Sequence, residues 1–344
     1  MSTNKSTWKK LTSMRLFMPL VCLLAIIIVA TITIPGFLSM SLKNGVPYGY
    51  PVDVINRASE LVILSVGMTL VTAASGGQDI SVGAVMAVAG AVCCQILSGG
   101  EVSVNSLSAP IIVAFLAALV ASGICGAFNG FLVAKLNIQP MVATLILYTA
   151  GRGIGQLITA GQITYVRVES YKAMGGFLGP IPTPVIFAVA AVIVAYLVLN
   201  KTALGMYIES VGINSHASRL IGLNSTRIKF LTYVICGALA GLAGIVASSR
   251  IYSADANNIG LNLEMDAILA VALGGNILSG GKFSLMGSVI GAYTIQALTT
   301  TLYAMSVPSD QLPVYKAIVV IIIVVLQSPV YKLSLIHISE PTRP

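Results

Sequence analysis

Apolar runs follow one another almost without pause along this chain, and a membrane span needs about 20 such residues. In order, the runs predict helices near 16–34, 59–75, 80–98, 109–134, 140–158, 183–200, 229–249, 264–281, 284–305 and 314–331. The second, third and eighth are short or interrupted by glycine. The sharpest interruption is in LVTAASGGQDISVGAVMAVAG (Leu70–Gly90), where Ser75, Gly76, Gly77, Gln78 and Asp79 split an apolar stretch without a soluble linker. Non-helical backbone at membrane depth is tolerated only inside protein or beside a watery cavity. An ionisable Asp79 at such a break marks a functional position. The local pattern also predicts a tight turn with Asp79 capping the helix from Ile80. Gly274-Gly275 and Gly280-Gly281 echo Gly76-Gly77 faintly, and interruptions at corresponding places in two weakly related halves point to a pathway between them.

Composition agrees with the pattern. The chain has 344 residues, 56% hydrophobic and only 9% charged, with a mean hydropathy of +0.93. A soluble protein carries roughly a quarter charged residues, so the expected fold is an all-α integral membrane protein of about ten transmembrane helices. The net charge of +8 is not a nucleic-acid footprint, because the basic residues stand singly or at span ends without interleaved aromatics. With the N-terminus cytoplasmic, the inner loops hold Lys5, Lys9, Lys10, Arg15, Lys135, Lys201, Arg219, Arg227, Lys229, Lys282 and Lys332. The outer loops hold Lys43, Arg57, Arg167, Lys172 and Arg250. That excess is the bias expected of an N-in topology. The five cysteines lie in apolar segments without metal-ligand or disulfide spacing.

The division into parts is simple. Residues 1–15 form a cytoplasmic tail and 16–332 a single transmembrane domain. Within SLIHISEPTRP the sequence resembles a translated sequencing adaptor, so 333–344 is read as a non-native tail and the natural C-terminus is expected to be missing. The longest inner segment, about 201–228, is the one cytoplasmic loop able to hold structure. Asn214 and Ser215 suit an N-cap, and Ala217, Leu220 and Ile221 share one face. A short amphipathic helix is expected there, resting on headgroups or docking a partner.

Chemistry-bearing motifs are mostly absent. Gly280-Gly281-Lys282 is followed by Phe283 and lacks the first glycine of a phosphate loop, so the chain is not its own ATPase. No nucleophile elbow or zinc-protease motif occurs. A catalytic site, a metal site and a resident cofactor are therefore not expected. The polar residues at membrane depth are mainly neutral amides, suited to a polyol: Gln78, Asn129, Gln156, Asn276 and Gln296, with Asp79, Arg152 and Asp266 near span ends. Gln78, Asp79, Asn129, Arg152, Gln156, Asn276 and Gln296 form the candidate substrate pathway, and Gly76, Gly77, Gly274 and Gly275 the structural breaks. A helix–helix hydrogen bond is an equal use for each amide.

Four stretches carry a family resemblance: Gly67–Val92, Asn129–Thr159, Gly212–Val246 and Ser253–Ala292. The chain resembles the ribose/xylose-type permease subunits of bacterial ABC sugar importers over about 14–332, and most of all their galactofuranose branch. The resemblance implies a multi-pass protein of the bacterial inner membrane and two permease subunits, identical or different, forming one pore. It also implies an ATP-binding cassette subunit that spends the ATP and a soluble sugar-binding protein outside. Glu209, Gly212, His216, Arg219 and Gly222 would then lie at or near the ATPase groove, and loops 251–263 and 159–182 would meet the binding protein. The family's usual Ile-Asp-Leu-Ser reads Gln78-Asp79-Ile80-Ser81 here, a departure that bears on substrate. Rival readings are a permease for a nucleoside, a furanose signal or a branched-chain amino acid, and a secondary transporter that needs no docking loop.

Overall fold

Each predicted apolar run folds as a helix, because a bilayer leaves so long a stretch few other ways to satisfy its backbone. The computed structural model describes residues 16–43 and 45–327; the expected tails at 1–15 and 333–344 lie outside them. In chain order the helices are α1 (Phe17–Thr33), α2 (Tyr50–Ser75), α3 (Val82–Ser98), α4 (Ile111–Gly130), α5 (Pro140–Ile158), α6 (Glu169–Lys172) and α7 (Thr183–Lys201). There follow α8 (Leu204–Ile213), α9 (Ser215–Leu220), α10 (Ser225–Arg250), α11 (Leu263–Leu273), α12 (Leu285–Ala304) and α13 (Leu312–Gln327).

Seven short strands add to this helical frame. β1 (Ser41–Lys43) and β2 (Val46–Tyr48) form a hairpin between α1 and α2. β3 (Ser103–Val104) pairs parallel with β4 (Thr164–Val166), which pairs antiparallel with β7 (Ser253–Ala254). β5 (Phe177–Leu178) and β6 (Ile181–Pro182) form a second hairpin. Because β3, β4 and β7 follow α3, α5 and α10, those three helices end at one rim, the sheet end. The other end collects the 76–81 break, α8, α9 and the 274–284 loop.

Two span boundaries differ from expectation, each for a physical reason. α2 starts at Tyr50 rather than 59, so Asp53, Asn56 and Arg57 are helical rather than loop. Arg250, at the end of α10, makes this possible: it donates to the Asn56 carbonyl at 3.1 Å and pairs with Glu60 at 3.2 Å. α11 stops at Leu273, well short of 281. Gly274, Gly275 and Asn276 leave the helix there, and Gly275 takes φ +77°, a backbone that glycine adopts without strain.

α2 is buried along nearly its whole length, whereas α4 and α7 turn most of their apolar side chains outward. Helices in lipid associate by close packing rather than by the hydrophobic effect, which favours small residues at the contacts. Gly126 and Gly237 accordingly bring α4 and α10 so near that a Cβ built on Gly237 would lie 2.8 Å from the Gly126 Cα.

After β7 the chain turns back into the bundle as non-helical backbone. Ala256 and Ile259 are buried, and Gly260 sits directly on Gly83 in the first turn of α3. The loop expected at 251–263 is therefore external only in part: Asn257 and Asn258 are exposed, whereas Ala256, Ile259 and Gly260 on either side are buried.

Candidate functional site

The break between α2 and α3 is built from small residues and one carboxylate. Asp79 is 2% exposed. Its Oδ1 accepts the Ser81 amide at 2.9 Å and the Ser81 hydroxyl at 2.6 Å. Asn129 on α4 donates to Ser81 Oγ at 2.8 Å and to Asp79 Oδ1 at 3.4 Å. The predicted tight turn is present, but the helix opens at Val82 with Ser81 rather than Asp79 at its N-cap, and no side-chain capping bond is made there. Asp79 and Asn129 thus lock the break onto α4, although the Asn129 Oδ1 itself has no hydrogen-bond partner among the described residues.

The two interruptions expected from their glycines touch one another. A Cβ on Gly76 would lie 2.6 Å from the Ser279 carbonyl oxygen, and one on Gly280 3.0 Å from the Gly76 Cα. Gly77 lies against Pro140 at the start of α5, and Gly274 against Gly287 of α12. The Gly281 amide donates to the Ala73 carbonyl at 2.9 Å. Gly212, in α8, also abuts the Ala73 carbonyl and the Gly281 amide. Gly212 therefore packs inward. The connection runs backbone against backbone, from α8 to both breaks.

The remaining predicted pathway residues separate into different places. Gln78 donates across to the Leu278 carbonyl at 3.4 Å. Asn276 donates to the Val271 carbonyl at 3.1 Å and to Ser288 Oγ at 2.8 Å, and it accepts the Ser284 amide, so it holds the end of α11 to the start of α12. Ser288 shares a 2.6 Å bond with Thr69 of α2. Arg152 Nη1 donates to the carbonyls of Ala256, Asn257 and Ile259 at 3.1, 2.9 and 3.1 Å. Gln156, one turn on, donates to the Asn257 side chain. These two residues hold the 256–259 segment against α5.

Gln296 faces a cavity. The space, of about 840 Å³, lies between α11, α12 and α13 and is also lined by Asn262, Asp266, Thr299, Asp310 and Lys316. Lys316 pairs with Asp266 Oδ2 at 2.7 Å, each side chain 12% exposed. Sequence reasoning left Lys316 and Asp266 out of the site, although a carboxylate in LEMDAILAVAL and a lysine inside an apolar run are signals of a pair. It also missed Glu264, 1% exposed, whose Oε2 has no partner among the described residues.

The loop at 201–228 holds two helices, α8 and α9, rather than one. Asn214 breaks them apart and caps α9, its side chain accepting the amides of His216 and Ala217 at 3.0 Å each. Leu220 and Ile221, expected on a covered face, are 90% and 74% exposed. His216 and Gly222 are exposed as well, and Glu209 is half-buried. Arg219, exposed, is steadied by a 2.6 Å bond from its Nε to the Ser225 hydroxyl. At the sheet end Lys172 lies 4.9 Å from the centre of the Tyr252 ring, and the Tyr252 side chain holds its ammonium pKa above the ordinary value. Among the described residues no group of three His, Cys, Asp or Glu is placed to hold a metal ion.

Comparison with known proteins follows from this geometry. The family described as branched-chain amino acid transport system / permease component matches residues 50–327. The galactofuranose transporter permease protein of Escherichia coli is 47% identical over 310 residues, covering 90% of this chain and 88% of that protein. The fructose import permease protein FruF of Bifidobacterium longum is 39% identical, covering 93% and 90%. The ribose import permease protein of Escherichia coli is 35% identical, covering 90% and 92%.

Proposed function

The chain belongs to the branched-chain amino acid transport system / permease component family, and from that premise we propose that it forms the membrane pathway of an ATP-driven monosaccharide importer. It is a multi-pass membrane permease subunit. Its cargo is a sugar of the galactofuranose or ribose kind. Relatives named for galactofuranose, fructose and ribose, at 47, 39 and 35% identity over about nine-tenths of the chain, support this. An interior with few charges suits a neutral polyol better than the zwitterionic amino acid in the family's description.

In this reading the chain sits in a bacterial inner membrane with its N-terminus in the cytoplasm, and a second permease subunit completes the pore. The sheet end then faces outward, where a soluble sugar-binding protein delivers cargo. A separate subunit binds and hydrolyses ATP against α8 and α9.

The observation that carries the reading is the setting of these two helices. Leu220 and Ile221 project outward, free to enter a partner's groove, while Gly212 on the other side is sealed against α2 and the 274–284 loop. A push on α9 therefore reaches both broken segments as rigid-body motion, since packed backbones do not deform continuously.

The test is purification of the tagged chain from native membranes in mild detergent, with mass spectrometry of its companions. An ATPase subunit and a sugar-binding protein are expected, with sugar uptake into vesicles strictly dependent on ATP. A chain recovered alone that equilibrates sugar without ATP overturns the proposal.

A further inference from the structure

The cavity between α11, α12 and α13 gathers several side chains with hydrogen-bonding capacity left over. Gln296 spends its amide on an intrahelical bond to Thr300 Oγ1 at 3.2 Å, and its carbonyl oxygen accepts none among the described residues. Lys316 uses one of its three ammonium hydrogens on Asp266 Oδ2, leaving two, and Asp266 Oδ1 takes no bond. Thr299 gives its hydroxyl hydrogen to the Ile295 carbonyl at 2.8 Å and keeps its lone pairs. Asn276, by contrast, is bonded to Val271, Ser284 and Ser288, and the Gln156 amide group donates to Asn257.

We propose that this cavity is a binding site within the single subunit for a neutral, unphosphorylated monosaccharide. The inference rests on the importer reading above and adds where, in one subunit, cargo is held. Its volume of about 840 Å³ lies inside the range of about 300–1,000 Å³ typical of small-molecule sites. The walls are mostly apolar, with a few convergent donors and acceptors, the usual build of a site that fixes orientation by polar groups. Sugar hydroxyls donate and accept in alternation. Gln296, Thr299, Asp266 and Lys316 offer both kinds of partner from three helices.

Charge sets the selectivity. Asp266, Asp310 and Lys316 are the charged side chains lining the space, a formal sum of −1. A phosphorylated sugar would bring negative charge next to two carboxylates and one already-paired ammonium, in surroundings where unpaired charge is costly. An intramembrane ion pair that faces a cavity, rather than one sealed in a helix contact, marks a functional position.

The test uses the full chain in lipid nanodiscs, with saturation-transfer NMR on D-galactose, D-ribose and D-galactose 6-phosphate. Transfer to one or both neutral sugars and none to the phosphate is expected. Gln296→Leu is expected to weaken binding about fivefold, the value of one lost hydrogen bond, and Gln296→Leu with Thr299→Val further. Thermal unfolding within a degree or two of wild type shows that the variants fold. Binding that these variants leave unchanged, equal binding of the phosphate, or no binding of either neutral sugar overturns the site. Uptake by cells carrying the whole importer separates the two claims. Wild-type uptake with no effect of either variant removes the cavity site and leaves the importer standing, whereas no ATP-dependent sugar uptake by wild type removes the importer reading itself.

Discussion

The two ends of α11 are made in opposite ways. At its C-terminal end, Gly274, Gly280 and Gly281 bring the chain backbone to backbone with α12, α2 and α8, leaving no room for a side chain. Toward its start, Asp266 holds α13 at the length of a lysine side chain, and a cavity of about 840 Å³ remains. A contact made of backbone transmits displacement because it has no rotamers to absorb it. A contact made of long side chains can open and refill. One helix thus joins a stiff joint to a roomy chamber.

The largest expected effect breaks the stiff side. Gly212→Val drives a branched side chain into the Ala73 carbonyl and the Gly281 amide. It should cost about 3 kcal/mol and abolish uptake, read by thermal unfolding in detergent and by sugar flux. Leu220→Glu probes the outer face of the same element without touching the joint. Because Leu220 is 90% exposed, stability should change by no more than about 0.5 kcal/mol. ATPase co-purification should still fall at least about tenfold, as for the loss of an interface anchor. Normal co-purification with Leu220→Glu would leave α9 a mere surface helix.

Asp79→Ala strips partners from Ser81 and Asn129 and should cost about 1–3 kcal/mol. Asp53→Ala, in the first turn of α2, should cost about 0.5 kcal/mol, the helix-dipole contribution of one acid. Equal melting temperatures for the two variants would reduce the break to an ordinary turn. The smallest effect sharpens the roomy side. Replacing both charges, Asp266→Leu with Lys316→Met, removes Coulomb attraction and desolvation cost together, so the melting curve should stay within about 1 kcal/mol of wild type.

Helices were legible in the sequence wherever apolar length alone decides them, and among the described residues each of the ten expected runs contains a helix. Boundaries were lost where a distant group changes the local rule. The first turns of α2 look like loop until Arg250, nearly two hundred residues on, neutralises Glu60. The end of α11 was masked by Ile277 and Leu278, apolar residues that continue the run after the helix has stopped. Residue type gave the right candidates for polar chemistry but not their partners. Arg152 reads as a pathway residue until three carbonyls of 255–262 are seen around its guanidinium. Asn276 reads the same way until Ser284 and Ser288 close on it. A hydrogen bond between segments far apart in sequence leaves no periodic trace, so its address is fixed only by the fold.

The small sheet at the rim orders events in time. β3 cannot find β4 until α4 and α5 have both crossed, and β4 cannot find β7 until α10 has crossed too. Contacts between residues so widely separated form late, after the local helices. During synthesis the strands of α3 and α5 must wait at the membrane surface, unpaired, for a segment still inside the ribosome. Closure of that rim therefore requires that α3, α5 and α10 all be in place, so a few backbone amides at the rim report on segments spread along the chain from Ser103 to Ala254.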